Sequence, residues 1–423
     1  MKRKKWGYWV LSGLLVVAFL TYQRLRPQRQ ELTLGLSTGS PWGVPSANSY
    51  KMLNYLIRHF KQSHPNVTVH VESGITKSDY GNWLANKLLF REEPDLYLVP
   101  ESDFNALAAD GALQSLNTRL AASRTKSRFY PAALAAGQYH GKQYALPYEQ
   151  NPTFMLVNLD LLKQRGLRLP GANWTPSQFQ KIINKITRPS HQIYGITARY
   201  DWKLALASYH TSLFTAKNQV NLNRPRTRRA LSLMENLNII NAEQNVTSAD
   251  FDEGRVVFTP LTLAQYRSYT NYPFYVSRSF KFNSAIIRNP CIAKHAGTPL
   301  AIALYGISSR SHNSKLAWEF LKMMTTDSAV QTELMADSQG ASVLKTVVKN
   351  PHVISAIQTQ TNSRALTSAK LDQILETGIQ YPKFRGYYQT MVQANYIITQ
   401  GIKANNLDTK LFEIQSQLNH RRN

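Results

Sequence analysis

A chain of 423 residues with 43% hydrophobic content is long enough to bury two sizeable lobes, and its single cysteine, Cys291, rules out an intrachain disulfide. The 50 Lys and Arg against 25 Asp and Glu leave a formal charge of +25, which favours an anionic neighbourhood: nucleic acid, an acidic ligand or an anionic cell envelope. Nucleic acid would need a reader element, and the sequence carries no zinc spacing, basic zipper or aromatic RNA-binding signature, so no nucleic-acid partner is expected. The charge is also dispersed, which suits adhesion to an anionic wall polymer or lipid surface better than one docking site.

At the N-terminus, Lys2 to Lys5 precede an uncharged stretch from Trp6 to Tyr22. As a helix those 17 residues rise about 25 Å, near the lower limit for spanning a bilayer. Trp6, Tyr8, Trp9 and Tyr22 stand where interfacial aromatics belong. Ala18-Phe19-Leu20-Thr21 is too bulky for a signal-peptidase site, so an uncleaved anchor with its N-terminus inside is expected, followed by a basic tether through residue 30. Glu31 to Leu36 alternates as a strand and ends in the hydroxyl-rich loop Ser37 to Trp42. A helix from Ser49 to Ser63 carries Leu53, Leu56, Ile57 and Phe60 on one face, and His64-Pro65-Asn66 stops it. The strand Val67 to Val71, a helix through Tyr80 to Phe90, a strand after Pro94-Asp95 and a short helix from Phe104 to Gly111 follow.

The stretch Tyr139 to Gly166 reads as a hairpin turning at His140-Gly141-Lys142, a strand ended by Pro147, a second strand from Phe154 to Asn158, and a helix beginning near Asp160 and closing at Gly166. Thr175-Pro176 is a strong helix start. Tyr194-Gly195-Ile196 is a strand feeding Arg199-Tyr200-Asp201-Trp202. Phe251 to Phe258 passes from helix to strand, the chain from Pro299 runs strand, Ser/Asn-rich turn, amphipathic helix, and Leu371 to Asn423 is helical. Apolar strands alternating with amphipathic helices give an α/β class without further help.

Five of these segments stand in the order found in extracellular solute-binding proteins of the carbohydrate-binding family, the receptors of ABC importers. Gly141-Lys142-Gln143-Tyr144-Ala145-Leu146-Pro147 resembles that family's crossover between lobes. The 31–71 unit, Pro94-Asp95 with its strand, Phe251 to Phe258, and the 299–332 element are similar to its other signatures. The resemblance spans about residues 31–350. It implies a maltose-binding-protein-like fold of two lobes with a ligand cleft between them, here preceded by one transmembrane helix. It implies the division 1–30 start, anchor and tether; 31–147 lobe 1; 148–265 lobe 2; 266–332 lobe 1; 333–423 lobe 2 and C-terminal helices. Permease subunits are the implied partner, a carbohydrate the implied ligand. Gram-positive relatives usually carry a lipid-modified cysteine after the apolar run; none stands here.

Catalytic patterns are missing from the sequence: no His-Glu-x-x-His, paired Cys or Asp-x-Asp metal spacing, no Gly-x-Ser-x-Gly elbow, no phosphate-cradling loop. A glycosidase pair could arise only through long-range folding, with Glu149 the acid to inspect. The expectation is therefore a non-enzyme without cofactor or metal. Sugars present hydroxyl edges and apolar faces, so their sites combine polar groups with aromatic platforms, on loops at the carboxyl ends of strands. By that rule the candidates are Trp42, Tyr148, Tyr200 and Trp202, with Asp201 beside them; packing inside a lobe is the alternative for each ring. Glu149, Gln150 and Asn151 cluster at the crossover. Phe258 ends the helix-to-strand element, Gly340 stands where related receptors have a ligand-facing loop, and Tyr381, Phe384 and Arg385 form a late basic-aromatic loop that either closes over ligand or caps a helix. The run Arg224 to Arg229 is the densest basic cluster, either a solvated helix start or an anion contact. The reading is an extracellular, membrane-tethered receptor that captures a carbohydrate by lobe closure; the alternative is a sensor or binder of anionic envelope polymer on the same fold.

Overall fold

The computed structural model describes residues 30–44, 50–268, 282–361 and 363–420. Nine strands form one continuous sheet: β1 (Gln30–Ser37), β2 (Val67–Ile75), β3 (Leu96–Val99), β4 (Ala145–Asn158), β5 (Tyr194–Ile196), β6 (Val256–Thr262), β7 (Ser284–Ile287), β8 (Leu300–Ile307) and β9 (Ala341–Ser342). Their order is β2-β1-β3-β8-β4-β6-β5, with β7 and β9 also paired to β4. The parallel β1, β2 and β3 alternate with helices Lys51–Ser63 and Lys77–Phe90, as βαβ crossovers require. Strand β8 then returns antiparallel between β3 and β4.

Strand β4 is the hinge of the architecture. Its first half pairs with β8 and β9 in lobe 1, and its second half pairs with β6 and β7 in lobe 2. Pro147 does not end it, contrary to the sequence reading. The ladder pairs Ala303 with Glu149 and Leu304 with Pro147, so Tyr148 bulges out and the strand runs on through 14 residues. A bulge is where a strand tolerates a residue without an N–H. Upstream, His140 and Gly141 make the predicted tight turn with φ of +47° and +76°.

Side-chain alternation along β4 distributes the cores. Phe154 and Leu156 join one apolar cluster; Met155 and Val157, on the opposite face, join the other. The first cluster holds Leu32, Leu34, Leu56, Phe60, Tyr80 and Leu84, then Phe320, Leu334, Val348, Ile357 and Leu375. The second gathers Phe179, Ile183, Leu231, Leu237, Ala394, Ile398, Leu411 and Leu418. Residues 334–375 pack with β9 and the helix Lys51–Ser63 in lobe 1, against the expected assignment of everything after 333 to lobe 2; Phe384 and the helices Tyr387–Lys403 and Leu407–His420 pack there, as does β7, against the expected lobe 1 segment 266–332. The helix Pro176–Ile186 begins as its sequence requires: Thr175 Oγ1 accepts from the Gln178 N–H, and Gln178 Oε1 accepts from the Thr175 N–H at 2.8 Å. Among the described residues no helix is long and apolar enough to cross a membrane; the stretch Trp6 to Tyr22 and the start, anchor and tether assigned to it lie outside them.

Candidate ligand cleft

A cavity of about 1350 Å³ opens between the lobes. Lobe 1 contributes Glu101 and Asn105, from the turn after β3 and the short helix Phe104–Ala109. The crossing strands contribute Thr153, Pro260 and Thr262, and Pro299 stands just before β8. Lobe 2 supplies the wall from Arg199 to Phe214, the helix start Arg224 to Arg226, and Tyr387, Tyr388 and Met391. Its volume exceeds the roughly 300–1,000 Å³ usual for a small-molecule site, so there is room for several sugar rings.

One segment, Gly378 to Gly386, straps the lobes together. The Ile379 N–H donates to the Thr298 carbonyl at 2.9 Å, Lys383 Nζ donates to the Ala136 carbonyl at 2.8 Å, and Asn105 Nδ2 donates to the Phe384 carbonyl at 3.2 Å. Arg385 adds an ion pair with Asp110 at 3.2 Å; both are well exposed, so it contributes about 0–1 kcal/mol. Lys383 also lies 4.8 Å from the centre of the Phe104 ring. Burial lowers its ammonium to about 8, with Glu101 pulling the other way. Glu101 is open to the cleft yet sits in a recess deep enough to raise its carboxyl, opposed by Lys383 and Lys77.

The structure sorts the sequence candidates sharply. Asp201 and Tyr381 line the cleft, with Arg224 and Arg226 of the basic run; the other named candidates do not. Asp201 does so as an N-cap: its Oδ1 accepts from the Leu204 N–H at 2.9 Å, so Trp202 opens a helix, Trp202–Ser208, instead of standing in a loop. Trp202 is 1% exposed, with Nε1 donating to Asn395 Oδ1 at 3.2 Å. Tyr200 packs on Phe179 at 4.8 Å and bonds Ser208 at 2.9 Å; Phe258 packs on Trp174 at 5.4 Å. All three rings belong to the lobe 2 core, so none is a platform for sugar. Phe384 is buried too, edge-on to Phe214 at 5.1 Å. Tyr148 lies edge-on to Tyr305 at 5.5 Å, and Gln150 is fully buried with Nε2 donating to the Ser342 carbonyl at 2.7 Å. Cys291 is buried, which pushes its thiol up.

Trp42, Glu149 and Gly340 do come together, but as a structural knot. Glu149 Oε1 accepts from Trp42 Nε1 at 2.9 Å, from Ser338 Oγ and from the Gly340 N–H. The carboxylate is 1% exposed, and burial raises its protonation tendency against those bonds and the field of Arg267. Arg267, also buried and lowered to about 10 by desolvation, donates to the carbonyls of Gly340 and Ala336 and to Gln360. An added Cβ at Gly340 would collide with the Glu149 carboxylate. Asn151 Oδ1 accepts from the Ala264 N–H at 3.0 Å. This crossover cluster ties loop 38–44, β4 and loop 338–340 into one unit, and a lone buried acid there is no glycosidase pair. No trio of His, Cys, Asp and Glu among the described residues is placed to hold a metal.

The aromatic surfaces in the cleft are instead Tyr381, 36% exposed, and Tyr388, 47% exposed, with Phe214 and Tyr387 behind them. Of the late basic-aromatic loop that the sequence offers, Tyr381 edges the cleft while Phe384 and Arg385 do not; Tyr388 lies on a helix face with no local mark to separate it from packing.

Two lobes sharing crossing strands around an open cleft define a binding protein. The chain belongs to the bacterial extracellular solute-binding protein family, whose model matches residues 55–361. It is similar to the maltotriose-binding protein of Pyrococcus abyssi, 22% identical over 339 residues, covering 77% of this chain and 70% of that protein. It also matches the multiple sugar-binding protein of Streptococcus mutans, 21% identical over 315 residues, covering 69% and 72%. The fold is that of the sugar-binding protein MalE from Xanthomonas citri, with a TM-score of 0.74 at 14% identity over 92% of this chain and 97% of that one. The cyclic alpha-maltosyl-1,6-maltose binding protein of Arthrobacter globiformis gives 0.73 at 16% identity, over 92% and 98%.

Proposed function

We propose that this protein is an extracellular sugar receptor that captures an oligosaccharide between its lobes and delivers it to an ABC importer. The observation that carries this is the interlobe cleft, large enough for several rings and edged by the exposed faces of Tyr381 and Tyr388 beside Asn105, Asp201 and Gln265. Exposed aromatic faces next to planar hydrogen-bonding groups suit a pyranose, whose apolar face and hydroxyl rim need both. The named ligands of the curated relatives, maltotriose and multiple sugars, support the oligosaccharide class. Binding, not bond cleavage, is the chemistry, and lobe closure on the ligand is the signal a permease would read.

The test is thermal shift of the soluble part, from residue 30, with oligosaccharides of two to four units. A ligand at a hundredfold excess over Kd stabilises the folded state by about 2.7 kcal/mol. Failure of every sugar to raise the melting temperature would sink the reading. The tether proposal is separate: Trp6 to Tyr22 stays on the mature protein as a membrane anchor, and N-terminal sequencing from native membranes that finds a start between residues 20 and 32 would overturn it.

A further inference from the structure

Among the described residues, five Lys and Arg side chains line the cleft, Arg199, Lys203, Arg224, Arg226 and Lys383, with His210 and His295, against two carboxylates, Glu101 and Asp201. Two of the cations are already answered. Lys203 Nζ lies 3.6 Å from Asp201 Oδ2, and the field of Glu101 acts on Lys383. The three arginines are not. Arg199 Nε donates to Ser248 Oγ at 2.6 Å and Arg224 Nη2 to the Phe214 carbonyl at 2.5 Å. These neutral acceptors hold the side chains in place and leave their charge intact. Arg226 is exposed, and none of the three has a carboxylate within ion-pair distance among the described residues, whereas Arg228, two positions on in the same helix, stands 4.0 Å from Asp408. A cleft with protein walls focuses such a field more than an open surface does. Each guanidinium has five donors, and a single neutral bond leaves the rest for a charged planar acceptor.

Resting on the sugar-receptor reading above, we propose that the oligosaccharide this cleft takes is anionic, its acidic groups met by Arg199, Arg224 and Arg226 on the lobe 2 wall. A neutral glycan would leave all three charges unanswered in a closed cleft; an acidic one neutralises them and gains charge-assisted hydrogen bonds at planar acceptors.

Titration calorimetry of the soluble part decides this, with trigalacturonate, a chondroitin sulfate tetrasaccharide and maltotriose as probes, each at low and high salt. The expected result is binding of at least one acidic probe, weakened by salt and tighter than maltotriose. The pair Arg224→Gln with Arg226→Gln should weaken it roughly ten- to hundredfold, while Lys181→Gln, on the helix Pro176–Ile186 and outside the residues that line the cleft, leaves it unchanged. Because Arg224 also holds the Phe214 carbonyl, Arg226→Gln alone carries the test if the pair fails to fold. Tight, salt-insensitive binding of maltotriose with no binding of the acidic probes overturns the anionic assignment and leaves the sugar receptor standing. Equal loss in Lys181→Gln shows diffuse adhesion and overturns it as well. No binding by any of the three overturns both readings.

Discussion

Two sets of aromatic rings stand near the same cleft and have opposite fates. Tyr200, Trp202 and Phe258 lie at or near strand ends, where a ligand loop is expected, yet all are at most 2% exposed. Tyr381 and Tyr388 lie on a strap and a helix with no such mark, and are 36% and 47% exposed beside the cleft. The difference comes from the backbone around them. Asp201 caps a helix, which swings Trp202 back onto the Tyr387–Lys403 helix through Asn395, whereas the strap crosses from one lobe to the other, burying Phe384 and leaving Tyr381 at the cleft. A strand end therefore locates a site without saying which ring points into it.

The largest effect should come from the buried set. Trp202→Ala removes a fully packed indole and should destabilise the protein by about 3–5 kcal/mol, read as a drop in urea midpoint. Near-normal stability with lost sugar affinity would return Trp202 to the cleft and reverse the comparison. Gly340→Ala should cost about 1–3 kcal/mol, because the new methyl meets the Glu149 carboxylate inside the crossover knot. Serine there should do no better; a neutral result would mean loop 338–340 yields freely.

For the exposed set the signs invert. Tyr388→Ala should leave stability within about 0.5 kcal/mol, and Tyr381→Ala, whose ring is about two-thirds covered, should cost about 1 kcal/mol. Affinity should fall by about 1–3 kcal/mol, the size of aromatic stacking on a nucleobase taken as analogy. Calorimetry that shows unchanged affinity in both would remove them as platforms.

The smallest effect concerns the strap amine. Lys383 titrates near 8 when folded, below its ordinary 10.5, because burial disfavours its charge. Between those values the unfolded chain holds a proton the folded one has released, so this group's contribution to stability rises with pH across that window and its cost is fully felt below 8. Melting temperatures of the wild type and Lys383→Met should therefore converge or cross in the wild type's favour from pH 7.5 to 10.5. A constant gap would mean that Lys383 is freely solvated.

Much of the fold is legible in the sequence. Alternation marked β1 and β2, helical spacing marked Lys51–Ser63, Thr175-Pro176 marked a helix start, and His140-Gly141 marked a turn, because each depends on residues within a few positions of one another. The basic run Arg224 to Arg229 was visible too. That its first arginines edge the cleft while Arg228 faces Asp408 was not.

The sequence by itself determined the α/β class, the crossover between lobes, the excess of positive charge and the poverty of catalytic motifs. Only the tertiary structure decided that β4 runs unbroken through Pro147, since the bulge depends on its pairing with β8. It alone placed residues 334–375 in lobe 1, brought Trp42 and Ser338 onto Glu149, and turned Tyr381 and Tyr388 outward. Those outcomes rest on contacts between segments a hundred or more residues apart, and local pattern carries no record of which face a distant segment will cover.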